Sequence, residues 1–227
     1  MADEDRRILA PRRVDVPPER LTGWVESFGQ RHGAGLTAHG DGDTITFGAA
    51  DGAQARCIVP FPPLQPQVGG PAEPLAEARR LAEHATADRT VGVLLVRLGG
   101  YAAGVFTGAQ PGLVASKVGS RLVHGRSAAG GQSQRRFARR RENQAHQALG
   151  AAADTAAAVF GPFTLDALVL GGDRRAFTSI RRDVRLAPYF AVAVDTFLTV
   201  PDPRLTVLRD TPRLFRAIRI TLTEPAS

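Results

Sequence analysis

A Gly-Gly-Gln tripeptide, Gly130-Gly131-Gln132, is followed at once by an arginine-rich run that ends at Arg141. Glycine lets the backbone adopt conformations that are closed to other residues and approach a partner closely. The glutamine amide has no useful pKa, but it can orient a water molecule, and its backbone N–H can donate to an oxyanion. These residues therefore suit a hydrolysis in which a second molecule provides most of the site.

The charge around this tripeptide is of one sign. Residues 111–141 contain no Asp or Glu but carry eight basic residues, which are Lys117, Arg121, Arg126, Arg135, Arg136, Arg139, Arg140 and Arg141. Because the net charge of the whole chain is +7, the rest of the sequence sums to −1. A local basic field without acidic partners predicts a surface that binds a polyanion, and phosphate matches the arginine fork well.

A long helix is predicted directly after the tripeptide. Ser133 is a suitable N-cap, and Gly161-Pro162 would stop the helix after about Phe160. Arginines four residues apart in the run would be like-charge neighbours, each pair unfavourable by roughly 0.2–0.5 kcal/mol. They would also lie at the positive end of the helix dipole. Bound phosphate would relieve both penalties, which again favours a nucleic-acid partner.

Three strings in this stretch resemble a known family. They are H-G-R at 124–126, G-G-Q-S at 130–133 and R-F-A-R-R-R at 136–141. Together they resemble the tip of the catalytic middle domain of archaeal and eukaryotic class-one peptide chain release factors, over about residues 90–199. Within that group the chain is most similar to the actinobacterial Vms-like release factors, which have no stop-codon-reading domain. Three extra small residues at 127–129 are a departure that would lengthen the tip.

The resemblance implies an α/β fold of the release-factor middle-domain type. This fold is an RNase H-like mixed β-sheet flanked by helices, preceded here by a small N-terminal α+β module. The resemblance also implies a ribosome-dependent peptidyl-tRNA hydrolase that acts in the peptidyl transferase centre of the large subunit. Such a protein needs no cofactor or metal ion and works as a monomer. Since nothing in the chain resembles a codon-reading or GTPase-recruiting domain, we expect rescue of stalled ribosomes.

Carried over to this sequence, the resemblance gives each residue a role. Gln132 would place the attacking water and stabilise the developing charge through its backbone N–H, and Gly130 and Gly131 would permit that geometry. Contacts to rRNA or tRNA are expected from His124, Arg126, Ser133, Arg135, Arg136, Arg139, Arg140, Arg141, Arg121 and Lys117. For His124 a second interpretation stays open, in which the imidazole holds the base of the loop through a hydrogen bond.

Two other functions also stay open. A tRNA-cleaving nuclease would suit an RNase H-like fold, but the sequence lacks the clustered carboxylates that a catalytic metal site requires. A factor that binds the ribosome or RNA without catalysis would suit the arginines, but it would have no need of Gln132. Sequence motifs for nucleotide hydrolysis, dinucleotide binding and zinc proteases are missing.

A proline-rich stretch with six prolines between Pro60 and Pro74 predicts a stiff connector. We therefore predict a small α+β module at 1–70 and a catalytic domain at 71–227, with its loop at 124–134. The module reads as a helix over 17–32 and a β-meander whose strands, at 36–39, 44–48 and 53–59, are separated by Asp-Gly turn sequences. The C-terminal tail ends in an alternating run, which suggests a last strand that returns to this meander.

The hydrophobic pattern and the cysteine content indicate where one strand lies and in which compartment the protein works. Val91 to Leu98 is too continuously apolar for an edge strand and should lie in the middle of its sheet. The single cysteine, Cys57, allows no intramolecular disulfide and points to a reducing compartment. The acidic N-terminus lacks the apolar core of a signal peptide, and no apolar run reaches the ~20 residues of a membrane helix. We therefore expect a soluble cytoplasmic protein that does not contact a membrane.

Overall fold

The computed structural model describes residues 10–33, 35–65, 73–97, 100–120 and 132–225, and for residues 132–143 and 145 it describes the backbone alone. The chain forms two compact units. Unit 1 consists of Met1–Ala87 with Arg216–Ser227, and unit 2 is Asp88–Phe215. Within the described residues, no helix combines the length and the apolar character needed to cross a membrane.

The described residues form strands and helices that alternate irregularly along the chain. The strands are β1 (Arg12–Val16), β2 (Thr37–Gly40), β3 (Thr44–Gly48), β4 (Gln54–Ile58), β5 (Val91–Arg97), β6 (Gly100–Thr107), β7 (Gly112–Ser120), β8 (Ala167–Gly172), β9 (Ala193–Leu198) and β10 (Ile218–Thr223). The helices are α1 (Leu21–His32), α2 (Pro74–Thr86), α3 (Gln132–Phe160), α4 (Arg174–Ile180), α5 (Ala187–Ala191), α6 (Leu205–Arg209) and α7 (Thr211–Phe215). Short 3-10 helices at Pro18–Arg20 and Val184–Leu186 precede α1 and α5.

Unit 1 contains a five-stranded sheet in the order β1-β10-β4-β3-β2, in which every neighbouring pair is antiparallel. The predicted meander is confirmed as β2, β3 and β4. Turn chemistry fixes its first connection, because the Asp41 carboxylate accepts the backbone N–H groups of Asp43 and Thr44 at 3.0 and 2.7 Å. These bonds also lower the pKa of Asp41.

The core of unit 1 joins segments that are far apart in sequence. Strand β10 lies between β1 and β4, and its Ile218 and Ile220 are fully buried. Helices α1 and α2 contribute their apolar faces to the same core. The buried side chains include Leu21, Val25, Phe28, Ile45, Phe47, Cys57, Ala78 and Leu81.

Residues 66–72, where we predicted the domain boundary, lie outside the described residues. Helix α2 follows this stretch, and the structure groups it with unit 1 instead of with the second domain that we predicted from residue 71. The reason is physical, since Ala78, Leu81 and Ala85 of α2 are buried in the core of unit 1.

Unit 2 contains a mixed five-stranded sheet in the order β7-β6-β5-β8-β9. Strand β6 is antiparallel to β5 and β7, whereas β5, β8 and β9 are parallel. Counted from β5, the order is 3-2-1-4-5 with the second strand reversed, which is the RNase H-like arrangement. The predicted fold class, a mixed sheet flanked by helices, is therefore confirmed. The prediction of a central strand is also confirmed, because β5 is the middle strand and residues 91–96 are buried.

Helices cover both faces of this sheet. On one face, α3 packs against Leu94 and Val96 of β5. On the other face, the Phe215 ring lies edge-on to Phe106 of β6, with the ring centroids 5.9 Å apart. At Gly104 a β-carbon would lie 2.9 Å from Leu208 of α6, so this glycine allows α6 to lie close to the sheet.

Candidate functional site

Strand β7 and helix α3 hold the two ends of the predicted catalytic loop. Strand β7 ends at Ser120, and α3 begins at Gln132. The residues between them, with Arg121, His124, Arg126, Gly130 and Gly131, lie outside the described residues. The side chains of Gln132, Ser133, Arg135, Arg136, Arg139, Arg140 and Arg141 lie outside them as well. The structure therefore defines the supports of the loop.

Helix α3 begins two residues earlier than the sequence predicted. Ser133 was expected to be the N-cap, but the helix starts at Gln132, so Ser133 is part of the first turn. The difference lies within the usual variation of helix ends. Because Gln132 is the first residue of α3, its N–H is one of the four amide groups that have no acceptor within the helix. The positive end of the helix dipole is directed the same way, which favours an anion there.

The arginines of the predicted interface follow Gln132 on the same helix. The backbone is helical throughout residues 132–160, so Arg135 and Arg139 occupy successive turns of one face, and Arg136 and Arg140 do the same. The first turn contains no acidic residue that would offset the dipole. The predicted like-charge spacing is therefore present in the backbone. The predicted stop is confirmed as well, because α3 ends at Phe160.

A stripe of small residues holds α3 on its sheet. Ala148, Ala152 and Ala156 are buried, with 5%, 0% and 0% of their surface exposed. The latter two pack in one cluster with residues of β5 and β6. Small side chains let a helix approach closely, and close-packed interiors tolerate little change in volume. Close packing therefore fixes α3 on its sheet over the part of the helix whose side chains are described.

The far end of α3 has further anchors. The Phe160 ring packs edge-on against Tyr189, with the centroids 5.4 Å apart. The Arg185 guanidinium donates to Asp154 of α3 at 2.7 Å and to Asp183 at 2.6 Å. The hydrogen bond from Arg185 lowers the pKa of Asp183. Arg185 and Asp154 are exposed, so we expect these ion pairs to contribute less than the buried ring contact.

Strand β7, the other support of the loop, is an edge strand, and among the described residues β6 is the one strand that pairs with it. Its last cross-strand pair before Ser120 is Gly119 with Tyr101. A β-carbon at Gly119 would lie 2.5 Å from the Tyr101 ring, so the ring lies directly over this glycine. An aromatic side chain that covers an edge glycine replaces the packing that glycine cannot provide. Tyr101 thus fixes the strand immediately before the loop.

Lys117 is the one predicted interface residue whose side chain is described. It lies on β7 opposite Ala103 and is exposed. It is also the only lysine in the sequence. Its neighbours Val114 and Val118 are exposed at 52% and 39%. Lys117 is therefore accessible to a partner.

Sequence reasoning missed two positioning residues, Tyr101 and Arg185. A glycine inside a strand can signal a bulge or a close approach, so Gly119 was a hint that something packs against this position. It did not indicate which residue. Nothing in the sequence around Arg185 indicated its positioning role, because its partner Asp154 is distant in sequence. Among the described residues, no cluster of His, Cys, Asp or Glu could hold a metal ion.

Comparison with known proteins identifies a family. The sequence model described as the Actinobacteria/chloroflexi VLRF1 release factor matches residues 89–221. Two archaeal structures are similar to the chain at low scores. The crystal structure of the archaeal translation termination factor aRF1 has 11% identity and a TM-score of 0.37, covering 90% of this chain and 64% of that one. A structure described only as an archaeal protein has 12% identity and a TM-score of 0.36, covering 72% of this chain and 48% of that one.

The chain thus spans less than two thirds of the length of these two structures. Among curated proteins, none is significantly similar to it in sequence. The family match includes β5 to β9, helix α3 and the Gly-Gly-Gln loop. Because this match extends over more than half of the sequence, the chain belongs to the Actinobacteria/chloroflexi VLRF1 release factor family.

Proposed function

We propose that this protein is a peptidyl-tRNA hydrolase that releases nascent chains from stalled ribosomes without reading a stop codon. One observation carries the proposal: the Gly-Gly-Gln motif of a release-factor family member ends at the first residue of α3, in a stretch that has eight basic residues and no acidic one. The partners are the rRNA of the peptidyl transferase centre and the peptidyl-tRNA.

In this proposal, the ester that joins the nascent peptide to the terminal adenosine of the tRNA is attacked by water. The Gln132 side chain orients the water, and its backbone N–H donates to the oxygen on which negative charge develops. The start of α3 supports this role, since an N–H at the first residue of a helix has no competing acceptor within the helix. Gly130 and Gly131 permit the backbone geometry of the tip.

The basic residues position the tip on RNA. Arg126 and the arginines at 135, 136, 139, 140 and 141 contact phosphates, and their mutual repulsion is relieved on binding. Arg121, His124, Ser133 and Lys117 complete the surface. Lys117 supports the proposal directly, because its ammonium group is exposed on the strand that leads into the loop. Positioning in a site that excludes water would then provide most of the rate.

The test is peptide release from ribosomes that carry labelled peptidyl-tRNA and have no stop codon in the decoding site. The native protein should free the peptide and leave the tRNA intact, whereas Gln132→Ala and Gly131→Ala should bind ribosomes but lose release. Cleavage of the tRNA would instead support the nuclease. Binding without release by the native protein would support the non-enzymatic factor, and release that requires a stop codon would contradict rescue.

Lys117 allows a second test with matched variants. Lys117→Arg keeps the charge and should release peptide at nearly the native rate, whereas Lys117→Gln should bind ribosomes more weakly. If Lys117 neutralises one phosphate, Lys117→Gln should reduce the slope of log affinity against log salt by about 0.7–0.9. Equal slopes for the three proteins would remove Lys117 from the interface.

A further inference from the structure

A groove of about 540 Å³ lies in unit 1, far in sequence from the Gly-Gly-Gln loop. One wall is the strand β1, through its residues 14–16, and the other is the helix α1 with the turn before it. The helix side consists of Arg20, Gly23, Trp24 and Ser27. The volume falls in the range of about 300–1,000 Å³ that is typical of binding pockets. Neither wall takes part in the proposed hydrolysis.

The strand wall is the open edge of a sheet. Strand β1 is terminal in the order β1-β10-β4-β3-β2, and no described residue pairs with its outer edge. Side chains alternate between the two faces of a strand, so a groove bordered by three consecutive residues runs along the edge of β1. An edge strand presents a row of backbone N–H and C=O groups that can pair with another strand.

The helix wall leaves room for a backbone to approach. The spacing of Arg20, Gly23, Trp24 and Ser27 places them on one side of α1. At Gly23 a β-carbon would meet nothing within 4 Å, so the groove is open above this glycine. The partly exposed Trp24 ring stacks on buried Phe28, with the centroids 5.8 Å apart and the planes at 5°. The groove therefore offers a fixed aromatic surface beside an open backbone edge.

The charges at the groove favour an acidic ligand. The one carboxylate that lines the groove, Asp15, already has an arginine partner in unit 1, because it lies 3.5 Å from Arg219. Glu19, which does not line the groove, lies 3.0 Å from Arg216. Arg20 borders the groove and is exposed, and no described carboxylate forms an ion pair with it. The same holds for the exposed Arg12 and Arg13 at the start of β1. Among the described residues that line the groove, the charge without an ion-pair partner is therefore positive.

We infer that this groove binds an extended acidic segment of a partner protein, which adds a sixth strand next to β1. Its backbone pairs with the free edge of β1, an apolar side chain packs on Trp24, and an acidic side chain pairs with Arg20. Strand addition takes affinity from main-chain hydrogen bonds and specificity from the side-chain pockets. A strand edge that no described residue occupies favours a peptide over single-stranded RNA, which would bind through its phosphates and bases and would not need such an edge.

The experiment measures fluorescence anisotropy of the full-length protein with a short labelled peptide in which glutamate and valine alternate, with one phenylalanine. Two control peptides have the same length. In one, alternate backbone amides are methylated, which removes the donors that pair with a strand edge. In the other, lysine replaces glutamate. We expect the acidic peptide to bind, and each control to bind at least roughly tenfold more weakly.

Protein variants locate the site. Gly23→Leu fills the groove and should weaken binding of the acidic peptide at least roughly tenfold. The melting temperature should not fall, because leucine is a better helix former than glycine. The matched control is Gln30→Leu, which adds the same side chain to an exposed position of α1 outside the groove and should leave binding unchanged. Arg20→Gln should weaken binding severalfold and reduce its salt dependence.

Four results would overturn the inference. The methylated peptide could bind as well as the parent, which excludes strand pairing. Gly23→Leu could bind the acidic peptide with native affinity, which excludes this groove. Single-stranded RNA could displace the acidic peptide from native protein and bind Gly23→Leu more weakly, which would make RNA the occupant. Sedimentation could show dimers that Gly23→Leu dissociates, which would make a second copy of the chain the occupant.

Discussion

Replacing Ala152 with leucine should separate helix α3 from its sheet and thereby destabilise unit 2. Ala152 is fully buried in the cluster that joins α3 to β5 and β6. The alanine stripe leaves no room for the larger side chain. Overpacking a well-packed core in this way costs about 1–3 kcal/mol. Because 1 kcal/mol corresponds to roughly 4 °C for a unit of the size of unit 2, the melting temperature of this unit should fall by about 4–12 °C.

The matched control lies two positions earlier on the same helix. Gly150 is exposed, and a β-carbon there would meet nothing within 4 Å. Gly150→Ala should therefore stabilise α3 by about 0.5–1 kcal/mol, since alanine has the higher helix propensity. The two variants change neighbouring positions of one helix in opposite directions, so a general effect of mutating α3 would not reproduce the pattern.

The assay is thermal unfolding followed by two probes. Circular dichroism at the helix band reports both units, whereas the fluorescence of Trp24, the only tryptophan, reports unit 1. We expect Ala152→Leu to shift the dichroism transition downward and to leave the fluorescence transition in place. Peptide release should slow as well, because α3 carries Gln132 at its start.

Two outcomes would count against this reasoning. An unchanged or higher dichroism transition in Ala152→Leu would mean that α3 does not pack on the sheet through its alanine stripe. A downward shift of the fluorescence transition by the same amount would mean that the two units unfold together. In that second case the packing argument would survive, but the assignment of each probe to one unit would not.

Three further predictions concern the strand before the loop, an exposed turn of unit 1 and the interior of unit 1. Gly119→Ala should displace the Tyr101 ring, which lies 2.5 Å from the added β-carbon, and slow peptide release, whereas Gly112→Ala on the same strand has free space and should not. The pKa of Asp51 is lowered by hydrogen bonds from the Ala53 N–H and from His32. Its stabilising effect is thus complete above the ordinary pKa of 3.8 and lost as the pH falls through the lowered value. Urea unfolding of Asp51→Asn should accordingly depend less on pH between about 5 and 2 than that of the native protein. Burial raises the pKa of Cys57 to about 12, so an aromatic disulfide reagent should label this thiol only as unit 1 unfolds, in parallel with the loss of native Trp24 fluorescence. Rapid labelling of the folded protein would contradict that burial.

Elements with strong local patterns could be predicted from the sequence. Strand β5 was recognised by its continuous apolar run, and α3 was recognised by the serine at its start and the Gly-Pro pair after its end. Strands β1 and β9 were missed. Strand β1 has two arginines and an aspartate among its five residues, so its apolar alternation is too short to be recognised. Strand β9 follows a short helix within one apolar stretch and contains Asp195, which hides the change of period.

Some parts of the candidate site could likewise be predicted from the sequence, and others could not. Its residue types follow from a contiguous motif, so the sequence alone indicated Gln132, the two glycines and the arginines. Its supports depend on contacts between distant residues, such as Tyr101 with Gly119 and Arg185 with Asp154. Local propensity does not encode such contacts, because each depends on how the strands and helices pack in three dimensions. The strand order of unit 2 became predictable only through the family resemblance.

The position of β10 in the sheet of unit 1 has a consequence for the order in which the protein folds during its own synthesis. Strand β10 separates β1 from β4, yet all of unit 2 is translated between β4 and β10. Unit 2 is continuous in sequence and can fold as soon as it has left the ribosome. Unit 1 must keep two strand edges open until β10 arrives, and such edges invite misassociation. A ribosome that stalls while translating unit 2 would therefore hold an incomplete unit 1 with β1 and β4 unpaired on the sides that β10 later fills.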